Sequence, residues 1–486
     1  MHKFTASRLR FPTLSLLALA LSACAVGPEF VRPTTQTSAA FARADASVGA
    51  DTSPVDLLEF WRGFEDAQLT ALVETALAEN HYLKIALARY DQANALLRGA
   101  KFDQFPTVTA NAEAAHALSS ADQAPGLTRA QRDGERYSAG IAASWELDLF
   151  GRIRRGVEAS RADAAASAAD LQAVQVAVVG EVARTYVELR GLQERLRVAQ
   201  ENAGTQRETL RLVDTRVNAG RGTGFDTARV RAQLEATQAR VPALEGAVAV
   251  ALHRLAVLTG RPPAALIADF TPQRALPSLP ARLDPGTPGD VLRRRPDVVA
   301  AEYRLHAATA RIGVATADLF PRFTLGGLLG TQAIDSSALF EGGSATHLVA
   351  LGIDWSFLDL GRVNARIAAA DAQAVGELAN YRKTVLLALE DTENALVRYA
   401  YARREDAHLD RAAIDSAEAA RLARLRFDAG AADLLEVLDA ERTRLQAQDA
   451  FADARTRSIV GAIGVYKALA GGWPGTLPLR EPIAGR

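Results

Sequence analysis

Proline is absent between Pro125 and Pro242 and again between Pro321 and Pro474, and these two tracts limit the possible folds more than any other feature. Within the first, Leu171, Val174, Val178, Val182, Leu189, Leu192 and Leu196 recur every three or four residues, the spacing of one face of an α-helix. The spacing predicts a helix over 153–219 and a second of equal length over 363–429. About 67 residues at roughly 1.5 Å each gives on the order of 100 Å of helix. Gly220 and Gly430 follow these tracts, where a helix C-terminus favours glycine. Returning helices are predicted over 234–258 and 434–469, the first kinked by Pro242. Helices this long, joined by tight turns, cannot close around a globular core. They predict extended coiled-coil hairpins.

The two tracts belong to a duplicated unit. Trp145-Glu-Leu-Asp-Leu-Phe-Gly-Arg152 aligns with Trp355-Ser-Phe-Leu-Asp-Leu-Gly-Arg362, and Arg216-Val-Asn-Ala-Gly220 with Arg426-Phe-Asp-Ala-Gly430, both at an offset of 210 residues. Phe105-Pro106 and Phe320-Pro321 recur at nearly the same offset. Seven prolines between 262 and 288 mark an irregular bridge. The chain therefore divides into a leader (1–23), an N-terminal segment (24–60), a first repeat (61–260), a Pro-rich connector (261–288), a second repeat (289–471) and a tail (472–486).

Each repeat also contains a change of period. Tyr137, Ala139, Ile141, Ala143, Trp145 and Leu147 alternate with Ser138, Gly140, Ala142, Ser144, Glu146 and Asp148. That is a strand with one apolar and one small or polar face. Val349, Leu351, Ile353, Trp355 and Phe357 repeat the pattern. Weaker partner strands are predicted at 107–118 and 322–332. Strands of about 10 residues can cross a bilayer when tilted, and Tyr137, Trp145 and Trp355 sit where interfacial aromatics belong. Four strands cannot close a barrel, and open sheet edges are not tolerated in hydrocarbon. Two copies would give eight strands, a barrel filled by its own side chains. Three copies and twelve strands are the smallest plausible duct.

The N-terminus carries Lys3, Arg8 and Arg10, then the apolar run 11–21 and Leu21-Ser22-Ala23-Cys24. This is the pattern of a lipoprotein export signal, with Cys24, the only cysteine, as the lipidated residue. Ala25 follows it where an aspartate would favour retention in the inner membrane. No later stretch has the roughly 18 uninterrupted apolar residues of a transmembrane helix. With 56 basic and 57 acidic residues the net charge is −1, which gives no footprint for nucleic acid. Arg293-Arg294-Arg295 reads as a solvated helix end. The seven histidines are scattered without metal-ligand spacing, and Gly220-Arg-Gly-Thr-Gly224 lacks the lysine of a phosphate loop. No catalytic, cofactor-binding or metal residues are assigned, and the chain is not expected to be an enzyme.

Arg294-Arg295-Pro296-Asp297, Ala301-Glu302, Ala310-Arg311-Ile312-Gly313 and Leu319-Phe320-Pro321 resemble the TolC-like outer-membrane efflux family, in its lipoprotein branch. Cys24-Ala-Val-Gly27-Pro28 resembles the start of the mature lipoproteins, and Phe60-Trp61, Phe64, Asp66, Leu69, Leu72, Ala76-Leu77 and Asn80 resemble the family's first helix. The resemblance implies an α+β membrane protein. It would be a lipid-anchored outer-membrane homotrimer, with a 12-stranded barrel continued by a periplasmic helical barrel. It further implies partners: a periplasmic adaptor, which would meet the turns at Gly220 and Gly430, and an inner-membrane pump of the proton-driven RND type.

Glu436 and Asp439 match the family's acidic gate positions, and Asp226 is the first-repeat counterpart of Glu436. Only the second turn carries the acidic pair, which places the gate mainly there. The expectation is that losing both carboxylates makes the resting pore leakier. Phe427 stands where relatives can carry a tyrosine of the gate's hydrogen-bonding network, and Ala432 where some carry an arginine, so these positions depart from the family's polar latch. Two other readings stay open: the outer-membrane component of a type I protein secretion system, and a non-conducting coiled-coil spacer. The cargo is not legible in the sequence.

Overall fold

The weaker partner strands expected at 107–118 and 322–332 are both present, each twelve residues long. The structure, a computed structural model, describes residues 25–42, 57–270, 272, 274–279, 284–474 and 477–480. The export signal and Cys24 lie outside the described residues. Strands β1 (Thr107–Leu118), β2 (Asp133–Leu147), β3 (Arg322–Ala333) and β4 (Ala345–Asp354) form one antiparallel sheet in the order β1-β2-β3-β4. The pairing of β2 with β3 joins the two repeats, with Ile141 opposite Leu329 and Trp145 opposite Leu325.

This register gathers Val108, Ile141, Leu325, Leu329, Val349, Leu351 and Ile353 on one face, all exposed. The other face carries Thr109, Asn111, Ser138, Gly140, Ser144, Gly326, Gly330 and Gly352, with Leu328 and Leu348 as its large apolar members. Gly140 and Gly330 face each other so closely that a Cβ at Gly330 would meet the carbonyl of Ala139 at 2.6 Å.

The ends of β2 and β4 differ from the sequence reading, and β4 begins at Ala345, four residues before Val349. β2 begins four residues before Tyr137, because the backbone ladder continues through the polar residues Arg136 and Glu135 as far as the pair Leu118–Asp133. β4 stops at Asp354, opposite the first residue of β3, so Trp355 and Phe357 lie beyond it.

The helices are α1 (Ala67–Glu79), α2 (His81–Phe102), α3 (Arg152–Asn218), α4 (Gly224–Gln238), α5 (Arg240–Leu258), α6 (Pro288–Arg294), α7 (Pro296–Ala317), α8 (Leu360–Asp428) and α9 (Leu434–Ala468). The predicted long helices are α3 and α8, of 67 and 69 residues. The returning helix of the first repeat starts earlier than predicted and breaks at Ala239. The break fits Pro242, which has no N–H for the carbonyl four residues back. Among the described residues, only the stretch Gly224–Leu258 is a helix long and apolar enough to cross a membrane. The segment that resembles the family's first helix is divided: Phe60, Trp61 and Phe64 lie in a 3-10 helix (Leu57–Phe64), and Asp66 caps α1.

The chain forms two compact units, each drawing on both repeats. The first comprises Met1–Thr34, Tyr90–Ser167 and Ala300–Arg382, and contains the sheet. Here the N-terminal segment is pinned residue by residue. The Val26 N–H donates to Phe150 O at 3.1 Å, Glu29 pairs with Arg155 at 2.6 Å, and Phe30 stacks on His306 at 4.4 Å. Gly27 has φ +92° and crosses α7 at Gly313, where a Cβ would overlap the Gly313 backbone.

The second unit comprises Thr35–Arg89, Ala168–Val299 and Lys383–Arg486. Its core includes Phe60 stacked on Tyr466 at 4.8 Å, and a fully buried arginine, Arg190. Arg190 donates to Gln68, to Gln193 at 2.6 Å and to the Pro272 carbonyl at 3.4 Å, and it lies over the rings of Tyr186 and Phe270. Tyr186 in turn donates to Asp66 at 2.6 Å. Of the run 293–295, Arg293 is a solvated helix end as expected, but Arg294 and Arg295 are not. Arg294 donates to Leu469 O at 2.9 Å and Arg295 to Ala468 O at 3.1 Å, so these side chains cap the C-terminus of α9.

Candidate functional site

Each long helix ends in the same backbone motif. Gly220 N–H donates to Val217 O at 2.9 Å and Arg221 N–H to Arg216 O at 2.8 Å. In the second repeat Gly430 N–H donates to Phe427 O at 2.9 Å and Ala431 N–H to Arg426 O at 2.7 Å. This crossed pair is the Schellman arrangement, which needs a left-handed residue after the helix. Gly220 and Gly430 supply it, with φ of +71° and +75°.

The return helices are started by side chains. Thr223 accepts the Asp226 N–H, while Asp226 accepts the Thr223 N–H at 2.9 Å and its hydroxyl at 2.8 Å. These bonds, and the nearby Arg229 and Arg216, hold the Asp226 carboxyl below its usual range. At the second turn Asp433 accepts the Glu436 N–H at 2.9 Å. Asp226 and Glu436 therefore occupy the same position in two caps, but Asp226 is engaged in its own turn. Glu436 instead reaches Arg426 at 2.5 Å, and Asp439 pairs with Arg442. All four of these side chains are exposed.

Behind the turns the two hairpins meet. Val213 of α3, Val230 of α4 and Leu438 of α9 form a buried apolar cluster, with Leu210, Val217 and Leu434 packed against it. The guanidinium of Arg216 lies 4.7 Å from the centre of the Phe427 ring. A cleft of about 360 Å³ opens between the turns, lined by Arg216, Arg221, Asp226, Phe427 and Asp433 among others. One to four turns further back, Arg424 of α8 donates to Thr209 of α3 at 2.8 Å and to Glu441 of α9 at 2.7 Å. Glu441 is buried, and that burial pushes its carboxyl above the usual range despite Arg424 and Arg444.

The sequence reading missed Arg424 and Glu441. Antiparallel helices bring together residues about equally far from their turn, and that rule applied to 424 and 441 would have flagged the pair. Phe427 does sit at the contact between hairpins, held by a cation over its ring in place of a phenolic hydrogen bond. Ala432 lines the cleft.

In the sheet unit, the indole N–H of Trp145 donates to Gln104 O at 3.1 Å and that of Trp355 to Leu319 O at 3.0 Å. Both acceptors immediately precede a Phe-Pro pair, so the two repeats use the same anchor. Tyr137 lies within β2 and donates to Glu135 at 2.7 Å. Among the described residues no group of histidine, cysteine and carboxylate side chains could hold a metal ion.

The sequence profile of the family described as outer membrane efflux protein matches residues 72–261 and 287–471. Outer membrane protein OprJ of Pseudomonas aeruginosa is 32% identical over 468 residues, covering 94% of this chain and 95% of its own. The pyoverdine export outer membrane protein OpmQ of Pseudomonas putida is 32% identical over 427 residues, covering 87% and 89%. The solved structure of the outer-membrane channel OprN superposes with a TM-score of 0.86 at 42% identity, covering 93% of this chain and all of that one.

Proposed function

Since the chain belongs to the outer membrane efflux protein family, we propose that it is the outer-membrane duct of a tripartite efflux system, exporting small molecules. The observation that carries this reading is a four-stranded sheet with an exposed apolar face, a mostly small and polar opposite face and two unpaired edges. Only further copies can complete such a sheet in lipid, and three give a twelve-stranded barrel wide enough to conduct. A periplasmic adaptor engages the turns at Gly220 and Gly430, and an RND-type pump supplies the cargo. Lipid on Cys24 anchors the chain, and the helical hairpins extend into the periplasm. Small-molecule cargo is favoured over secreted protein by the likeness to a pyoverdine exporter. Purified protein should run as a heat-modifiable trimer and conduct in planar bilayers. A trimer that passes no current under any condition refutes the duct.

The gate residues are Glu436 and Asp439, with Asp226 and Phe427 beside them. Three copies bring six carboxylates to one ring and favour cations there. Glu436→Gln with Asp439→Asn leaves Arg426 and Arg442 without their partners. The expected result is a reversal potential displaced toward anions under a salt gradient. An unchanged reversal potential in an assembled trimer would remove these residues from the conduction path.

A further inference from the structure

The small and polar face of the sheet has one row that breaks its pattern. Thr109, Ala142, Leu328 and Leu348 stand side by side from β1 to β4, with Leu328 directly opposite Leu348. Along their strands the two leucines are flanked on one side by Gly330 and Thr346, and on the other by Gly326 and Ala350. Neighbours this short leave the pair projecting, and Leu348 is 58% exposed. The adjoining backbone excludes a side chain at Gly330, but at Gly326 a Cβ would meet nothing closer than 3.8 Å. Strand packing therefore does not impose the recess at 326 beside Leu328.

We propose that Leu328 and Leu348 form an apolar station in the lumen of the barrel, which takes the ring system of an aromatic small-molecule cargo. The two leucines are then specificity-determining residues of the duct. The station rests on the duct reading, which turns this face of the sheet toward the lumen.

The topology decides what can cover the pair. Lipid lies against the opposite face, where Val349, Leu351 and Ile353 are exposed. Further copies join at the edges β1 and β4, so they extend the leucine face around the lumen without covering it. Water and solute in transit are what remain. Water gains little against leucine, whereas an apolar ring laid on the pair removes apolar area from both surfaces. Thr346 adds a hydroxyl at the margin, and small-molecule sites combine an apolar floor with a few polar groups in this way. Three copies repeat the station around the wall. Several weak sites hold a cargo without trapping it, which conduction requires.

Protection of an introduced thiol tests the station, in the full-length trimer reconstituted into liposomes. Thr346→Cys puts that thiol beside the pair, and peptide mass spectrometry reads its labelling separately from Cys24. The reagent is methanethiosulfonate ethylsulfonate, which is anionic and confined to water. The probe is rhodamine 6G, an aromatic cation. The dye should slow the labelling, although its charge alone would attract the reagent. With Leu328→Thr and Leu348→Thr added, the dye concentration that gives half protection should rise about tenfold. Threonine suits a strand, and Leu348→Thr alone, with an expected rise of about threefold, serves if the double change fails to assemble. Glu436→Gln with Asp439→Asn should leave protection unchanged, which separates the station from the acidic gate. Labelling that the dye does not slow, or equal protection with and without the leucines, would overturn the station. A thiol at 346 that the reagent cannot reach from water would instead refute the duct reading, and the station with it.

Discussion

Arg190→Leu is expected to lower the stability of the helical unit by about 3 kcal/mol, among the largest losses from one side chain. The guanidinium is fully buried and satisfies acceptors on Gln68, Gln193 and Pro272 while covering two rings. Leucine fills part of the volume but leaves those acceptors dry. Lysine should not rescue the loss, because a single ammonium cannot reproduce the planar fork. Thermal melting of the detergent-solubilised protein measures the effect. A midpoint within a degree or two of the parent would show that the hub contributes nothing.

The same hub gives stability an alkaline limit. Burial, reinforced by the hydrogen bond to Asp66, pushes the Tyr186 hydroxyl up to about 12. In the unfolded chain a tyrosine loses its proton near pH 10. The folded state then holds a proton that the unfolded state has released, so this contribution is complete below about pH 10 and is lost as pH rises toward 12. Tyr186→Phe should remove that part of the alkaline decline while lowering stability at neutral pH.

Gly27→Val is the second large effect, and its readout is local. The position has φ +92°, and a Cβ there would overlap the Gly313 backbone. Strain and overlap together cost about 3 kcal/mol, more than the short segment's polar contacts are expected to withstand. The expected result is release of residues 25–32, seen as new cleavage after Glu29 by a glutamate-specific protease. Gly27→Ala should show the same change in weaker form. Resistance equal to the parent in both variants would mean that the crossing at Gly313 does not hold this segment.

Much of the architecture was legible because it is periodic. Alternation from Tyr137 and from Val349 marked β2 and β4, with β1 and β3 as their weaker partners, and a three-to-four spacing without proline marked α3 and α8. Gly220 and Gly430 announced the turns, because no other residue takes a left-handed φ so readily. Strand ends were less clear, since ladder hydrogen bonds continue through polar residues such as Asp133–Arg136 and stop where the partner stops, as at Asp354. The arginines at 294 and 295 were misread for a different reason. A basic side chain at a helix end looks solvated until the helix it caps, some 175 residues away in sequence, is known. The same holds for Arg190 and for Arg424 with Thr209. Contacts between distant helices leave no local period, so charge alone did not name their partners.

The sheet order also bears on how the protein is made. β1 and β4 are its two ends, so a lone chain presents edges of 12 and 10 residues whose outward backbone groups lack partners. Water can satisfy such groups, but hydrocarbon cannot. Insertion and association must therefore occur together, and a single inserted subunit is not a resting place on the pathway. By mass action, the yield of inserted protein should then rise more steeply than in proportion to chain concentration until supply outruns the membrane. Beyond that point the same edges become templates for aggregation. Refolding into liposomes over a range of protein-to-lipid ratios measures this. A yield strictly proportional to protein added would show that single chains insert alone.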